Sequence, residues 1–381
     1  MKLHEYQSKA FFKKYGIPIP EGHVTSMARE AKQIADEIGG PVVVKAQVLV
    51  EGRGMAGGIR LAKTPQEAEK FASEILSARI KGLSVRNVLV DEAVSIEKEY
   101  FLLITYGREL RMPLLMMYES GTIYIETAAN ALFDNLERVY INPLSGLQRY
   151  QVRQLAVRLD FPQKFLRGLI DICLGMWRLF CDLDARMVAI NPLSITDDQR
   201  LLALDGKITL DENARFRQEY LDDFHDFDAE AYGEFEARKH GLDYVKLDGN
   251  IGCLANGAGL TMAMLDCIED CGGHPANFMD LGTGVMADSV ISALDILLKD
   301  PQVKVILVNI FGGMARCDDV AEALKKAVEK FGTEIPIVLY MNGTRSESGY
   351  QILQGTDIIF APSMVEAVKK AIAVAATGGR K

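Results

Sequence analysis

Apolar residues in the first hundred positions alternate between helical spacing and short continuous runs. After Ser26 they recur at helical spacing, and the glycine pair at 39–40 ends that pattern. The apolar run 41–48 follows and predicts a buried strand. Residues 64–67 (TPQE) then carry a helix start signal, with Thr64 as the cap and Glu67 completing a capping box. This part of the chain is typical of a compact α+β unit.

The middle of the chain changes from strands to a helix and back. Residues from about 85 to 150 predict strands and turns, with strands at 87–91, 100–104 and 121–126. A long helix is predicted around 169–180. Two strands follow, at 187–193 and 201–207, and a polar turn at Asp197 and Asp198 joins them as a hairpin. From 219 to about 244 the chain is acidic and aromatic without a clean period, which indicates a linker or a helix between domains.

The last third of the chain has a regular strand–helix alternation. Residues 251–255 predict a strand that ends at a glycine-bearing loop, 256–259, and a helix follows. Continuous apolar strands recur at 303–311 and 335–341, and residues 363–366 cap the last helix. Such alternation predicts a parallel, doubly wound sheet that binds ligands at the carboxyl ends of its strands.

Composition excludes several broad classes of protein. The chain has 381 residues, 49% hydrophobic and 25% charged, which predicts a soluble globular protein of two domains. A formal net charge of −9 argues against a general nucleic-acid binder. The six cysteines show no zinc-finger spacing, no apolar run reaches membrane-spanning length, and the start lacks the apolar core of a signal peptide. A cytoplasmic or matrix protein is expected.

Two groups of residues in the first half suggest a nucleotide and its metal. Lys45 ends a buried strand, and the glycine-rich residues 51–58, with Arg53, follow it, so backbone N–H groups and two cations could hold phosphates. A plain glycine-rich hairpin explains that loop equally well. Asn191 and Asp205 offer the amide and carboxylate oxygens that Mg²⁺ prefers, but each residue taken singly is an ordinary turn former.

Four glycine-bearing loops in the second half follow predicted strands of one sheet. They are residues 256–259, 282–284, 311–316 and 342–344. Tight βα turns explain each loop separately, but their shared side predicts one anion-binding edge.

A series of motifs is similar to those of the β subunit of succinyl-CoA synthetase. The motifs come in that family's order and cover nearly the whole chain. They are residues 3–7 (LHEYQ), 44–47 (VKAQ), 52–54 (GRG), 190–193 (INPL), 204–207 (LDGK), 213–218 (NARFRQ), 248–253 (DGNIGC), 256–259 (NGAG) and 308–313 (VNIFGG).

The resemblance implies an α/β protein with an ATP-grasp nucleotide-binding domain at 1–236, including an inserted α+β subdomain at about 21–95. A flavodoxin-like, doubly wound CoA-ligase domain is implied at 237–381. The implied reaction is that of an acid–thiol ligase, in which a carboxylic acid, CoA and ATP or GTP give acyl-CoA, the nucleoside diphosphate and phosphate. Pro20 favours ATP. The implied nucleotide ligands are Lys45, Gly52, Arg53, Gly54, Asp91, Val94 and Glu99; the implied Mg²⁺ ligands are Asn191 and Asp205; the implied acid-binding residues are Asn256, Gly313, Met314 and Ala315.

The resemblance also implies a partner. In the family the phosphoryl group passes through a phosphohistidine on an α subunit that also supplies most of the CoA site. No histidine of this chain lies in a loop suited to that transfer; the five are His4, His23, His225, His240 and His274. An αβ or α2β2 assembly is therefore expected.

Several positions depart from the family pattern. Ala189 stands where the family has Glu, Glu51 where it has Gly, and Met55 where it has Lys. Thr283 interrupts a glycine run, and Asn342 and Arg345 change a loop near the acid; an added arginine could read an extra carboxylate. These departures leave open a ligase for a related acid such as malate or citrate, or a degenerate β-like subunit with a structural or regulatory role. A carboxylate–amine ligase is disfavoured, because the second half would then have no role.

Overall fold

The computed structural model describes eight stretches of the chain, which form two compact units. The stretches are residues 1–50, 52–107, 109–119, 136–218, 232–282, 287–313, 315–332 and 335–378. The units are Met1–Ala229 and Glu230–Lys381. The strand expected at 121–126 lies outside the described residues.

The first unit is an α+β assembly whose described helices and strands fall in the following ranges. The helices are α1 (Glu5–Lys14), α2 (Ala28–Ile38), α3 (Pro65–Leu76), α4 (Arg149–Arg158) and α5 (Leu166–Asp182), with 3-10 turns at Gln163–Phe165 and Glu212–Arg217. The strands are β1 (Gly22–Thr25), β2 (Val42–Ala46), β3 (Ile59–Ala62), β4 (Arg79–Ile80), β5 (Leu83–Ser84), β6 (Val88–Glu92), β7 (Ile96–Gly107), β8 (Met112–Glu119), β9 (Glu137–Tyr140), β10 (Ala185–Thr196), β11 (Leu201–Ala203) and β12 (Gly206–Leu210).

A small antiparallel sheet with the order β1-β6-β2-β3 packs with α2 and α3 around its own core. Its helices follow the local signals. Gly39 ends α2 in the left-handed conformation at φ 72°, and Thr64 Oγ1 accepts the Glu67 N–H at 3.2 Å to start α3. Glu67 returns its carboxylate to the N–H of Lys63 at 2.7 Å. The helices and the strand expected in this region are confirmed.

The larger sheet of the first unit has the order β11-β10-β7-β8-β9, with β12 also paired to β10. Its main core packs against α1, α4 and α5, and the long helix expected around 169–180 is confirmed. The hairpin is also confirmed, but the single strand expected at 201–207 is wrong. β11 ends at Ala203 and β12 begins at Gly206, so the ladder beside β10 is interrupted between them.

The interruption has a local cause in β10. Pro192 has no N–H to donate to a ladder, and the pairing of β10 with β7 shifts register between Ile190 and Leu193. The Asn191 N–H reaches the Asp205 carbonyl at 3.2 Å, and the Leu204 N–H reaches the Pro192 carbonyl at 3.0 Å. Asn191 and Asp205 therefore lie side by side where the ladder breaks.

The second unit is built around one sheet with helices on both faces. Its described helices are α6 (Tyr232–Lys239), α7 (Ala258–Asp270), α8 (Ala287–Leu298), α9 (Cys317–Phe331), α10 (Ser346–Ile352) and α11 (Met364–Ala376). Its described strands are β13 (Asp243–Lys246), β14 (Ile251–Ala255), β15 (Asn277–Asp280), β16 (Val305–Gly312), β17 (Ile337–Gly343) and β18 (Ile359–Phe360).

The strand order is β13-β15-β14-β16-β17-β18, and all pairs are parallel except β13 with β15. The five parallel strands follow the 2-1-3-4-5 order of flavodoxin-like folds. Neighbouring residues serve opposite faces: Leu254 and Val308 join the core with α8 and α9, whereas Cys253 and Leu307 join the core with α7 and α11. The expected doubly wound sheet is confirmed.

Of the two alternatives expected at 219–244, a linker or a helix, the described part contains a helix, and the start of a strand that was not expected follows it. Residues 232–239 form α6, and β13 adds an antiparallel edge to the sheet. β13 alternates exposed and half-buried residues, and its charged ends, Asp243 and Lys246, suit an edge strand. The expected boundary at 236/237 falls inside α6. Among the described residues, none of the helices combines the length and the apolar character needed to span a bilayer.

Candidate active site

Six charged side chains meet in the first unit, and we call them the ionic cluster. Its cations are Lys9, Lys45 and Arg53, and its anions are Glu5, Asp91 and Asp205. Three positive and three negative groups balance the formal charge. Glu5 and Lys9 come from α1, which packs against the larger sheet, and Asp205 comes from the break between β11 and β12 of that sheet. Lys45, Asp91 and Arg53 come from β2, β6 and the loop after β2 in the region of the small sheet.

Lys45 lies near the end of β2 and is 8% exposed. Its Nζ donates to Glu5 Oε1 at 2.8 Å and to the Leu204 carbonyl at 2.9 Å, and it lies 2.8 Å from Asp91 Oδ2. Burial acts to lower the pKa of Lys45, but Glu5 and Asp91 outweigh burial and raise the pKa above its ordinary value. The ammonium group is therefore charged and held by oxygens alone.

Arg53 projects from the glycine-rich loop back toward the same carboxylates. Its Nη1 donates to the Ala46 carbonyl at 2.9 Å, and its Nη2 bonds Asp205 Oδ2 at 2.9 Å and Glu5 Oε2. Its pKa is also raised above the ordinary value, since Glu5 and Asp205 outweigh the opposing effect of burial. Two candidate phosphate-binding cations thus converge on one carboxylate.

The carboxylates of the cluster respond differently to their surroundings. Burial would raise the pKa of Glu5, but Arg53, Lys45 and Lys9 hold it well below its ordinary value. Burial, together with the negative charge of Glu5, raises the pKa of Asp205 above its ordinary value. A further positive charge near Asp205 would favour its charged form.

Asn191 and Asp205 offer oxygen ligands that suit Mg²⁺. Asp205 uses Oδ2 for Arg53, while its Oδ1 is buried and has no hydrogen-bond partner within the described parts of the chain. An unmatched carboxylate oxygen on a residue whose backbone is bonded to that of Asn191 fits a hard divalent cation that keeps several waters. The described ranges contain no group of three or more His, Cys, Asp or Glu arranged for a metal.

The loop between β2 and β3 folds on itself. The Ala56 N–H reaches the Gly52 carbonyl at 3.2 Å, and the Gly58 N–H reaches the Arg53 carbonyl at 2.8 Å. Gly52 has φ 67°, a conformation that favours glycine. Gly54 and Met55 lie in this turn, and Met55 is 79% exposed. Glu51, noted above as a departure, lies outside the described residues.

Of the other expected nucleotide ligands, Asp91 is a member of the cluster, whereas Val94 and Glu99 are not. Asp91 is 2% exposed and pairs with Lys9 at 2.5 Å as well as with Lys45, so its carboxylate is already engaged. Val94, just after β6, and Glu99, in β7 opposite Ser194, are half-buried.

Ala189 is fully buried on one face of β10. It packs with Phe101 and Leu103 in a small apolar group that Met116 and Tyr118 border. A carboxylate at this position would be surrounded by apolar side chains. The apolar side chain of Ala189 suits these neighbours, so the departure from the family pattern is matched by its surroundings.

The sequence reasoning missed Glu5 and Lys9. Both lie on α1, and both are among its buried residues, with Glu5 5% and Lys9 3% exposed. Their i, i+4 spacing was a readable signal, but such a pair usually marks an exposed helix face. Only the contacts with β2, β6 and the glycine-rich loop make the pair internal.

In the second unit, the loops at the carboxyl ends of β14, β15, β16 and β17 form an edge that we call the strand-end rim. Asn256, after β14, donates through Nδ2 to the Phe311 carbonyl and accepts the Phe311 N–H through Oδ1, each at 2.8 Å. These bonds join β14 to β16, the pair at which the strand order reverses and where such folds bind ligands. Gly313 is exposed beside them and Ala315 is buried; Met314 lies outside the described residues.

The strand-end rim is held by short polar contacts. Asp280 Oδ1 accepts the N–H groups of Gly257 at 2.5 Å and of Gly282 at 2.7 Å. Part of the expected loop 282–284 lies outside the described residues, and the other loops share the rim as expected.

Two arginines meet at one aspartate on the rim. Asp318 Oδ2 accepts from Arg316 Nη2 at 2.6 Å and from Arg345 Nη1 at 3.2 Å. The hydrogen bond from Arg316, against the opposing effect of desolvation, lowers the pKa of Asp318 to about 2. Arg345 is more than half exposed, so part of its guanidinium faces solvent.

Two family profiles match the chain. An ATP-grasp domain matches residues 2–195, and a CoA-ligase domain matches residues 254–376. The first match contains every residue of the ionic cluster except Asp205, and the second contains the strand-end rim.

Relatives that match nearly the whole chain are named as succinate–CoA ligase β subunits. The chain is 46% identical over 376 residues to the succinate–CoA ligase [ADP-forming] subunit beta of Chloroflexus aurantiacus, with 98% of this chain and 99% of that one covered. It is 42% identical over 374 residues to the succinate–CoA ligase [GDP-forming] subunit beta of Thermus thermophilus, with the same coverage.

Among solved structures, ATP citrate lyase from Methanothrix soehngenii in complex with citrate and coenzyme A has a similar fold. The TM-score is 0.71 at 17% identity, over 98% of this chain and 99% of that one. At this identity the likeness concerns the fold alone.

Proposed function

The chain belongs to the family of succinate–CoA ligase β subunits, and from that membership we propose that it is the nucleotide-binding subunit of an enzyme that joins succinate to CoA. The proposed reaction converts succinate, CoA and ATP or GTP into succinyl-CoA, the nucleoside diphosphate and phosphate. The observation that carries the proposal is the convergence of Lys45 and Arg53, which lie within the ATP-grasp match, with Asp205, which follows that match, in the ionic cluster.

In the proposed enzyme, Lys45 and Arg53 bind the phosphates of the nucleotide. Fixed cations in a water-poor site stabilise the charge that spreads over a phosphoryl group during transfer. Gly52 and Gly54 let the backbone of the loop approach the phosphates, while Asp91, Val94 and Glu99 lie toward the rest of the nucleotide. Asn191 and Asp205 would hold Mg²⁺, which neutralises phosphate charge when bound.

The proposed enzyme needs a second polypeptide. An α subunit carries the histidine that receives the terminal phosphoryl group, and it supplies most of the CoA site, in an αβ or α2β2 assembly. This division of labour agrees with the β-subunit names of the full-length relatives.

The strand-end rim is the proposed site of the carboxylic acid. Asn256, Gly313 and Ala315 lie at or next to the point where the strand order reverses, and the N–H groups of such loops favour anions. We assign Met314 to the same site from the resemblance alone. Arg345 adds a partly exposed cation to this rim, so a substrate with a further carboxylate is the informative competitor of succinate.

The proposal is tested with the chain coexpressed and purified with its α partner. Release of nucleoside diphosphate is measured with CoA and either ATP or GTP, with succinate, malate and citrate offered in turn. The expected result is succinate-dependent release that also requires CoA, together with a phosphohistidine on the partner. A folded pair that cleaves nucleotide with none of the acids would overturn the proposal, and release with malate or citrate alone would overturn the choice of succinate.

A further inference from the structure

Glu5 uses both of its carboxylate oxygens to hold cations. Oε1 accepts from Lys45 at 2.8 Å and lies 3.1 Å from Lys9, while Oε2 accepts from Arg53. The side chain is only 2% exposed. One carboxylate at the start of α1 therefore sets the positions of two cations that arrive from the other sheet of the same unit.

Stability alone gives no reason for this arrangement. Burying an ion pair removes both charges from water, and apolar residues of similar volume often stabilise a fold equally well or better. The ionic cluster nevertheless keeps Glu5, Lys9 and Asp91 almost fully buried, and only Asp205 of the six is as much as 26% exposed. The effect of the cluster is instead to fix side-chain positions, because Lys45 and Arg53 each donate to two or more oxygen atoms.

Lys9 completes the arrangement from one turn further along α1. It pairs with Asp91 at 2.5 Å and shares Glu5 Oε1 with Lys45. Without Lys9, Asp91 would have Lys45 as its remaining cationic partner within the cluster. With Lys9 present, the formal charges balance, and Lys45 also keeps its bond to the Leu204 carbonyl at the strand break beside Asp205.

We propose that Glu5 is a positioning residue for the nucleotide, holding Lys45 and Arg53 in the places where they receive its phosphates. The inference rests on the proposed function, because it takes Lys45 and Arg53 as the phosphate ligands. It gives α1 a role in substrate binding, because Lys45 and Arg53 depend on the Glu5 carboxylate for their positions.

The exchange Glu5→Gln separates positioning from simple charge. Glutamine adds one net positive charge to the cluster, so an effect of charge alone strengthens the binding of a phosphate anion. Its amide NH₂ group, however, replaces an acceptor with a donor, which cannot bond both Lys45 and Arg53. Positioning therefore predicts the opposite sign, weaker binding.

The experiment measures the dissociation constant of Mg²⁺ with the nonhydrolysable analogue AMPPNP by calorimetry, on the full chain purified with its partner. Glu5→Gln is expected to raise that constant at least about tenfold, the effect of losing a charge-assisted hydrogen bond. The KM for nucleotide should rise in parallel while the KM for the acid stays within about twofold, a split that a general loss of stability does not produce.

Glu74→Gln is the matched control. Glu74 pairs with Arg60 at 2.5 Å on the exposed face of the small-sheet region, with both side chains more than 40% exposed. The same exchange of Glu for Gln beside an arginine should change the dissociation constant less than about twofold, because exposed pairs contribute little.

The outcomes distinguish the inference from the proposed function. Wild type that binds the analogue, with Glu5→Gln binding as tightly or more tightly, overturns the positioning role and leaves the proposed function standing. Wild type that binds neither AMPPNP nor its guanosine counterpart GMPPNP overturns both. If Glu5→Gln does not fold, Glu5→Asp decides: it keeps the charge but is one methylene too short to reach both cations, and wild-type affinity in that variant overturns the inference.

Discussion

The ionic cluster of the first unit and the strand-end rim of the second represent two ways of preparing a protein for anionic ligands. The cluster places charged side chains out of water and fixes them with opposite charges. The rim relies on backbone turns at the ends of parallel strands, with Asn256 and Asp280 tying the loops and with arginines that remain partly in solvent.

The difference predicts how each site responds to change. In the cluster, removal of a cation that several carboxylates share, such as Arg53, leaves the buried carboxylate of Glu5 with less compensating charge. At the rim, Asn256 makes neutral contacts with the backbone of Phe311, and Arg316 and Arg345 remain partly exposed, so the loss of one of these contacts is confined to its neighbours. The four predictions below test this contrast and run from the largest expected effect to the smallest.

Arg53→Ala is expected to have the largest effect. It leaves Glu5 and Asp205 without the guanidinium between them, so we expect a loss of about 3–5 kcal/mol in the free energy of unfolding. Nucleotide affinity should fall by about two orders of magnitude or more. Urea unfolding and calorimetry measure the two effects. Arg60→Ala, which breaks the exposed pair with Glu74, should cost less than about 1 kcal/mol; equal losses in the two variants would contradict the contrast.

Asp205→Ala should affect the metal rather than the fold. Arg53 keeps Glu5 and the Ala46 carbonyl as partners, so the unit stays folded. We expect the affinity for Mg²⁺–AMPPNP to fall by about two orders of magnitude, and the dependence of binding on Mg²⁺ concentration to disappear. Binding titrations at several Mg²⁺ concentrations measure this. An unchanged affinity would refute the metal assignment.

Asn256→Ala should act at the rim alone. It removes two hydrogen bonds to Phe311, with an expected cost of about 1–3 kcal/mol in stability. The KM for the acid should rise by roughly tenfold, because the loop after β14 loses its tie to β16. The dissociation constant for nucleotide should not change. Steady-state kinetics with varied acid and with varied nucleotide separate the two; a rise in the nucleotide constant would break the comparison.

The smallest expected effect concerns acid stability. The pKa of Glu5 is held below its ordinary value of 4.5, so the stabilisation from its charge is complete above pH 4.5 and is lost as the pH falls through the lower folded pKa. The difference in unfolding free energy between wild type and Glu5→Gln should therefore be constant from pH 7 to 5 and shrink below 4.5. Urea unfolding at each pH tests this, and a difference that grows toward acid would contradict the assigned direction.

Local signals in the sequence were sufficient for many elements. The capped start of α3, the glycine stop of α2 and the continuous apolar strands of the second unit act within a few residues, so the pattern and the fold agree. Lys45, Arg53 and Asp205 were candidates because their residue types suit phosphate and metal.

What the sequence did not predict depends on contacts between distant segments. β13 lacks an apolar run because an edge strand buries little, so its pairing with β15 cannot be read locally. Glu5 and Lys9 have the spacing of an exposed helical ion pair, and only packing of α1 against residues at least 36 positions away makes them internal. The break that presents Asp205 depends on Pro192 in the neighbouring strand.

The most direct test of the account is a crystal structure of the chain with its partner, Mg²⁺ and AMPPNP. The account predicts phosphate oxygens within hydrogen-bonding distance of Lys45 Nζ and of the Arg53 guanidinium, with Asp205 Oδ1 on the metal. An analogue bound elsewhere in the chain, with Lys45 and Arg53 contacting only their carboxylates and carbonyls, would contradict it.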